Sequence, residues 1–221
     1  MNGENLPISE SPVRDLGILV SNNLNFMPHI EKASAESCRK IGLFLRFFKV
    51  RDTDFLLRMY IAYIRPILEY ATPVWSPSSI GGIKLAEKLQ RLFTERISAV
   101  SHLNYPQRLA ALGFASMEYR RIIFDLVELF KIVNELSVLK FEDYFQWKPR
   151  SFERRPNNKQ IFLHTLNSNL ARNFFRHRSA KIWNHLPQNI VDSPNAEIFK
   201  IRLRQIDLSE FLICFPDSYY E

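Results

Sequence analysis

Apolar positions recur at helical spacing over two long stretches between Thr53 and Val100, joined by a connector rich in Pro and Gly, and this pair organises the chain. In the first stretch Leu56, Tyr60, Tyr63, Ile67 and Tyr70 follow steps of four and three, with Leu57, Ile61, Ile64 and Leu68 as a second row beside them. The remaining polar stripe is Arg58, Arg65 and Glu69, the last two spaced as an i,i+4 ion pair. A helix apolar over most of its circumference is predicted to be surrounded by others. Pro66 deletes one helical hydrogen bond and crowds the preceding turn, so a kink is expected there. The second stretch, 83–100, turns Leu85, Leu89, Leu92, Phe93, Ile97 and Val100 inward and leaves Lys84, Lys88 and Arg91 on an outer ridge. Between them, Pro73 and Pro77 argue against helix, and Trp75 is expected to be an anchor buried against the helix pair.

Upstream, residues 12–27 read as a β-hairpin, with the β-prone run VRDLGILV before a turn at Ser21-Asn22-Asn23. Two strands alone are marginal in water, so the hairpin must lean on helices or add to a sheet that this chain does not supply. A helix entered through Pro28 follows, carrying Ile30, Ser34, Ser37, Ile41, Leu45 and Phe48 on one face. Asp52 and Asp54 read as caps of the next helix rather than as metal ligands. Downstream, His102, Tyr105 and Leu109 lead to a turn at Gly113. Ser116 then caps a helix with Glu118 in its first turn and Tyr119, Ile122, Leu126, Phe130 and Val133 on its face.

Past residue 137 the pattern changes. Residues 138–167 read as a connector: Phe141, Tyr144, Phe145 and Trp147 cover apolar surface, Lys148 to Gln160 form an exposed loop, and 161–166 read as a strand. Residues 168–206 read as a basic helical region. Its first helix, 168–185, turns Leu170, Phe174 and Ile182 inward and Arg172, Arg176, Arg178 and Lys181 outward; two Phe and Trp183 among these cations would suit bases and phosphates, but the rings read as core, and Pro187 as a stop. Ser193-Pro194 opens a last helix with Ile198, Phe199, Leu203 and Ile206 inward. Residues 1–11 are expected to be disordered, and the tail 207–221 fits no pattern. The predicted fold is mainly α: a short N-terminal hairpin, an antiparallel helical bundle over 28–137, and a smaller basic C-terminal region with some β.

Composition sharpens this picture. Six Gly against 18 Phe in 221 residues favours helices over a sandwich. Cys38 and Cys214 give neither a disulfide framework nor a zinc spacing, which fits a reducing compartment. No apolar run reaches the roughly 20 residues of a membrane span and no signal peptide is evident, so an intracellular location, nucleus or cytoplasm, is expected. The net charge of +7 is uneven: residues 151–206 hold ten Lys or Arg against three acids, and Arg39, Lys40, Arg46, Lys49 and Arg51 lie in an acid-free stretch. Such clusters either contact a polyanion or solvate helix faces. No phosphate loop, metal-ligand spacing or nucleophile signature is present, so the expectation is no catalytic residue, no metal, no cofactor and no small-molecule substrate.

The ordered segments DLGILVSNNLNFMPHIEKA, LLRMYIAYIRPILEYATPVWSP, LAEKLQRLFTERI, LAALGFASMEYRR and NFFRHRSAKIWNHLPQNIVDSPNAEIFKIRL resemble the C-terminal part of reverse transcriptases from non-LTR retrotransposons of the jockey and chicken-repeat type. The resemblance covers residues 12–206. It implies that Asp15, Leu16, Gly17 and Ile18 correspond to the hairpin that ends the palm and grips the primer. It further implies that helices from Pro28 to Val100 correspond to the thumb, which holds the template–primer duplex by its phosphates. Arg39, Lys40, Arg46, Lys49 and Arg51 are the candidates for that contact by charge and position, joined by Lys84, Lys88, Arg91, Arg172, Arg176, Arg178 and Lys181. Pro66, Glu69, Tyr70, Trp75, Trp183 and Pro187 are the structural residues of the matching motifs. The family's paired palm aspartates, its endonuclease and its Cys- and His-containing knuckle have no counterpart here.

Three expectations follow. The first is a truncated reverse transcriptase that binds an RNA or DNA template–primer duplex but does not polymerise. The second is a protein interaction module, or a decayed fragment with no function. The third, an enzyme in its own right, ranks last because Asp52, Asp54 and Glu69 read as caps and ion pairs. Oligomeric state is left open.

Overall fold

The computed structural model describes residues 11–48, 52–149 and 156–214. The chain is mainly helical, with an N-terminal two-stranded antiparallel hairpin followed by helices. The disorder expected for residues 1–11 falls, apart from Ser11, outside the described residues. The chain divides into two compact units, one built from residues up to Tyr70 together with Pro77–Phe114, the other from Ala71–Ser76 together with Ala115 onward.

The first unit opens with β1 (Val13–Asp15) and β2 (Ile18–Val20), paired in the register Val13–Val20, Arg14–Leu19, Asp15–Ile18. The turn is therefore Leu16-Gly17, inside the run that the sequence reading took as one strand. Both residues have positive φ, 43° and 93°, as a two-residue hairpin turn demands. The Asn-rich segment forms a separate turn, Leu24 N–H donating to the Ser21 carbonyl, that leads into α1 (Met27–Phe47). The hairpin leans on α1 as expected.

The next helix begins as α2 (Thr53–Met59), with the Asp52 carboxylate capping the Phe55 N–H at 3.2 Å. It then widens into a π turn, Tyr60–Ile64, before resuming as α3 (Arg65–Glu69). Pro66 explains the widening. It offers no N–H to Ala62 and crowds that carbonyl, and the preceding Arg65 N–H reaches back five residues to the Tyr60 carbonyl. The expected Arg65–Glu69 ion pair forms at 3.6 Å. The expectation that neighbours surround this helix is not met: Leu56, Tyr60, Ile64 and Leu68 are buried, but Ile61, Tyr63 and Tyr70 are exposed. One face alone is core.

The first unit continues with α5 (Ile80–Glu95), which packs on α1, and α6 (Tyr105–Leu112). An Asn104–Gln107 capping box starts α6 and Gly113, at φ 64°, ends it. Sequence periodicity missed this helix because it is short. The intervening α4 (Thr72–Trp75) also contradicts expectation. Pro73 is tolerated because it lies in the first turn, where its missing N–H costs no helical bond. Trp75 is buried as predicted, but in the second unit, where α4 packs on α7 (Met117–Val133).

The second unit is built on α7, capped by Ser116 as predicted, its hydroxyl accepting from Tyr119 N–H at 3.1 Å. It adds α8 (Phe141–Tyr144), α9 (Asn169–Asn173), α10 (Phe175–Trp183), α11 (Gln188–Val191) and α12 (Ala196–Leu203). Sequence reading placed α7 with the bundle 28–137; its packing instead places it here, against α10 and α12. The single helix expected over 168–185 is broken at Phe174, whose backbone is extended. Leu170 is exposed rather than inward. The strand expected over 161–166 reduces to one bridge, Trp147 with Ile161. Asn195, not Ser193, caps α12, accepting from Ile198 N–H at 2.9 Å.

Two parts read as loop and tail are held by side chains. Of the predicted exposed loop, residues 150–155 lie outside the described residues, but Asn157 and Gln160 are buried. The segment Trp183 to Leu186 binds them: Trp183 Nε1 donates to Lys159 O at 2.8 Å, Asn157 Nδ2 donates to Trp183 O at 3.2 Å and Leu186 O at 2.8 Å, and Gln160 Nε2 donates to Asn184 O at 3.1 Å. Asn184 bonds both backbone groups of Ile161 at 2.8 Å. The tail is likewise packed as far as Cys214. Leu208 and Cys214 are buried, and Glu118 accepts from Ile213 N–H at 2.6 Å and Cys214 N–H at 3.1 Å.

Candidate nucleic-acid interface

In the first unit α1 presents its buried face, His29, Ile30, Ala33, Ser34, Ser37 and Ile41, to the hairpin, α3 and α5. Its exposed face carries Lys32, Arg39 and Arg46. These lie seven residues apart, two helical turns or about 10 Å, so they form one nearly straight row. Among the described residues none of the three has an ion-pair partner. Lys40, by contrast, pairs with Glu36 at 3.6 Å. Lys49 and Arg51 lie outside the described residues.

The row starts at a cleft of about 340 Å³ between the hairpin, α1 and α3. Arg14 and Lys32 supply cations, Glu36 one acid, and Gly17 and Tyr70 close it. The Tyr70 hydroxyl donates to the Leu16 carbonyl at 2.9 Å, fixing the turn on α3. His29 lies at the base, its Nδ1 accepting Leu19 N–H at 3.4 Å. Burial, then the Lys32 charge, pushes its pKa down, so the ring acts as a neutral acceptor. Asp15, Leu16, Gly17 and Ile18 thus form a tight turn beside a basic cleft. Sequence reading missed Arg14 and Lys32. Lys32 stands between Glu31 and Glu36, outside the acid-free stretch 39–51, and its seven-residue distance from Arg39 is the signal the sequence carries.

The other candidate cations divide by partner. Lys84 and Lys88 are exposed one turn apart on α5. Arg91 instead sits 5.4 Å from the Tyr105 ring centroid, over a buried network absent from the sequence reading. There Tyr60 OH donates to Gln90 Oε1 at 3.0 Å, Gln90 Nε2 donates to Tyr105 OH at 3.1 Å, and Tyr105 OH donates to Glu87. Burial and the Glu87 charge push the Tyr105 pKa far up, so it remains a donor.

In the second unit Arg178 is a correction. It was expected to face outward, but it forks onto the buried Asp125, Nε to Oδ2 at 2.7 Å and Nη2 to Oδ1 at 3.1 Å. It also donates to the carbonyls of Pro73 at 2.6 Å and Asn173 at 2.7 Å. Burial pushes the Asp125 pKa up against the opposing pull of Arg178 and Arg121. Arg172 spends its guanidinium on the Leu166 carbonyl, at 2.9 and 2.7 Å. Arg176 and Lys181 stay exposed. Trp183 is core, whereas Pro187 is exposed ahead of α11.

Among the described residues no group of three or more His, Cys, Asp or Glu could hold a metal ion, and no helix is long and apolar enough to cross a membrane. Cys38 is exposed, Cys214 is buried, and neither is in a disulfide. No protein-family model and no solved structure matches the chain. Among curated proteins it is similar to the uncharacterized protein B0403.1 of Caenorhabditis elegans, 33% identical over 114 residues, which are 50% of this chain and 58% of that protein. The chain thus spans little more than half the length of that relative.

Proposed function

We propose that the chain is the thumb-bearing part of a retrotransposon-type reverse transcriptase, which holds a template–primer duplex by its phosphates and has no polymerase centre of its own. The supporting observation is the exposed row Lys32, Arg39 and Arg46, which starts at the basic cleft beside the Leu16-Gly17 turn. Evenly spaced cations on a rigid helix suit a repeating anion. They carry no base readout, so the duplex can slide.

The test is binding to a short RNA–DNA hybrid across a salt series. Affinity is expected to fall steeply with salt and to be independent of sequence. Arg39→Glu with Arg46→Glu is expected to weaken binding and flatten the salt slope. Absence of binding at low salt would overturn the reading. A second reading, a protein interaction module, is favoured by a different observation: Leu43, Phe47 and Tyr63 are each more than half exposed in the same unit. That reading expects the charge reversals to be silent.

A further inference from the structure

A cavity of about 540 Å³ in the second unit belongs to neither the basic row nor the cleft. Phe145, Phe162 and Phe174 supply ring walls, and His164, Arg176 and His177 supply polar edges. No acid lines it among the described residues. The site is held in shape by its own backbone: Phe162 N–H donates to Gln146 O at 2.7 Å, and Arg172 clamps Leu166 at the rim. Phe162 meets His164 edge-on, centroids 4.9 Å apart. Among the described residues the Arg176 guanidinium has no hydrogen bond or ion pair, in contrast to its neighbours Arg172 and Arg178.

We propose that this pocket takes one unpaired nucleotide of a single strand, its base against the phenyl rings and its phosphodiester on Arg176. The volume is in the range of small-molecule sites. Aromatic walls accept any base by its π face, and the Arg176 cation at the edge favours a ring that carries a phosphate over one that does not. A single guanidinium, with no acid to hold a metal ion, matches the single charge of a phosphodiester better than a free nucleoside triphosphate. Phe162, His164 and Arg176 are exposed at the mouth, so the flanking strand can leave along the surface. The inference shares only a ligand class with the duplex reading and does not use the α1 row.

The test titrates the full chain into a short single strand carrying an internal fluorescent adenine analogue. The analogue's emission is expected to be quenched by stacking. Phe162→Leu and Arg176→Glu are each expected to weaken binding about tenfold and remove the quench, while Phe162→Tyr retains both. Arg39→Glu with Arg46→Glu is expected to keep the quench even where it abolishes duplex binding, which separates this proposal from the duplex reading. No quench with the parent chain, a quench that survives Phe162→Leu, or one that follows the α1 charges would overturn the proposal. Displacement of the strand by an equal concentration of adenosine monophosphate would also overturn it, because a strand would then not be the preferred occupant.

Discussion

Arg178 meets four acceptors at once: both oxygens of Asp125 and the carbonyls of Pro73 and Asn173. Removing one partner of a buried pair strands the other. Arg178→Met is therefore expected to cost about 3–5 kcal/mol in denaturant unfolding. The loss should depend on pH. Folding raises the Asp125 pKa, so the stability contributed by its protonation is complete below the ordinary carboxylate range and declines as pH rises through the folded value. Without Arg178 that pKa rises further, and the variant's deficit should widen from acid to neutral pH; a constant deficit would contradict this account. Asp125→Leu with Arg178→Met should recover only part of the loss, because two carbonyls still lack their donor. The one hint in the sequence was Asp125 itself, an acid beside the apolar row Ile122, Leu126 and Phe130. Tyr105 makes a parallel case. Tyr105→Phe removes bonds to Glu87 and Gln90 in a buried network and is expected to cost about 1–3 kcal/mol.

At the scale of elements, periodicity located the long helices because burying one stripe is what keeps them folded. Caps at Asp52 and Ser116 and the Arg65–Glu69 pair were legible for the same reason: each is fixed by residues three or four apart. What failed depended on distant partners. The Asn-rich segment is the stronger turn sequence, yet the two strands are joined at Leu16-Gly17, where Tyr70, far along the chain, holds the Leu16 carbonyl. A Leu at φ 43° is strained. Leu16→Asn is expected to stabilise the chain by about 1 kcal/mol in thermal unfolding, since Asn tolerates that region. Equal or lower stability would mean that the exposed Leu16 side chain contributes more than its strain costs. The predicted strand at 161–166 failed in the same way: Asn184 takes both backbone groups of Ile161, and pairing with the chain around Trp147 stops after one bridge. Within the candidate interface, charge was legible and partnership was not. Arg39, Arg46 and Arg178 look alike in sequence, and only the fold separates a free cation from a bonded one.

For the whole molecule, the division into two units gives Trp75 an unexpected place. It lies between segments of the first unit but is buried in the second. Trp75→Ala is expected to cost about 3–5 kcal/mol, with amide exchange accelerated in α7 but not in α5. Equal acceleration in both would show one cooperative body. The division also sets an order of events during synthesis. Once residues through Phe114 have left the ribosome, every segment of the first unit exists, whereas the helix that covers Trp75 has yet to be made. Domains fold as units from the N-terminus as they emerge. A nascent chain at that stage carries every segment of the first unit together with a tryptophan whose cover has not yet been synthesised.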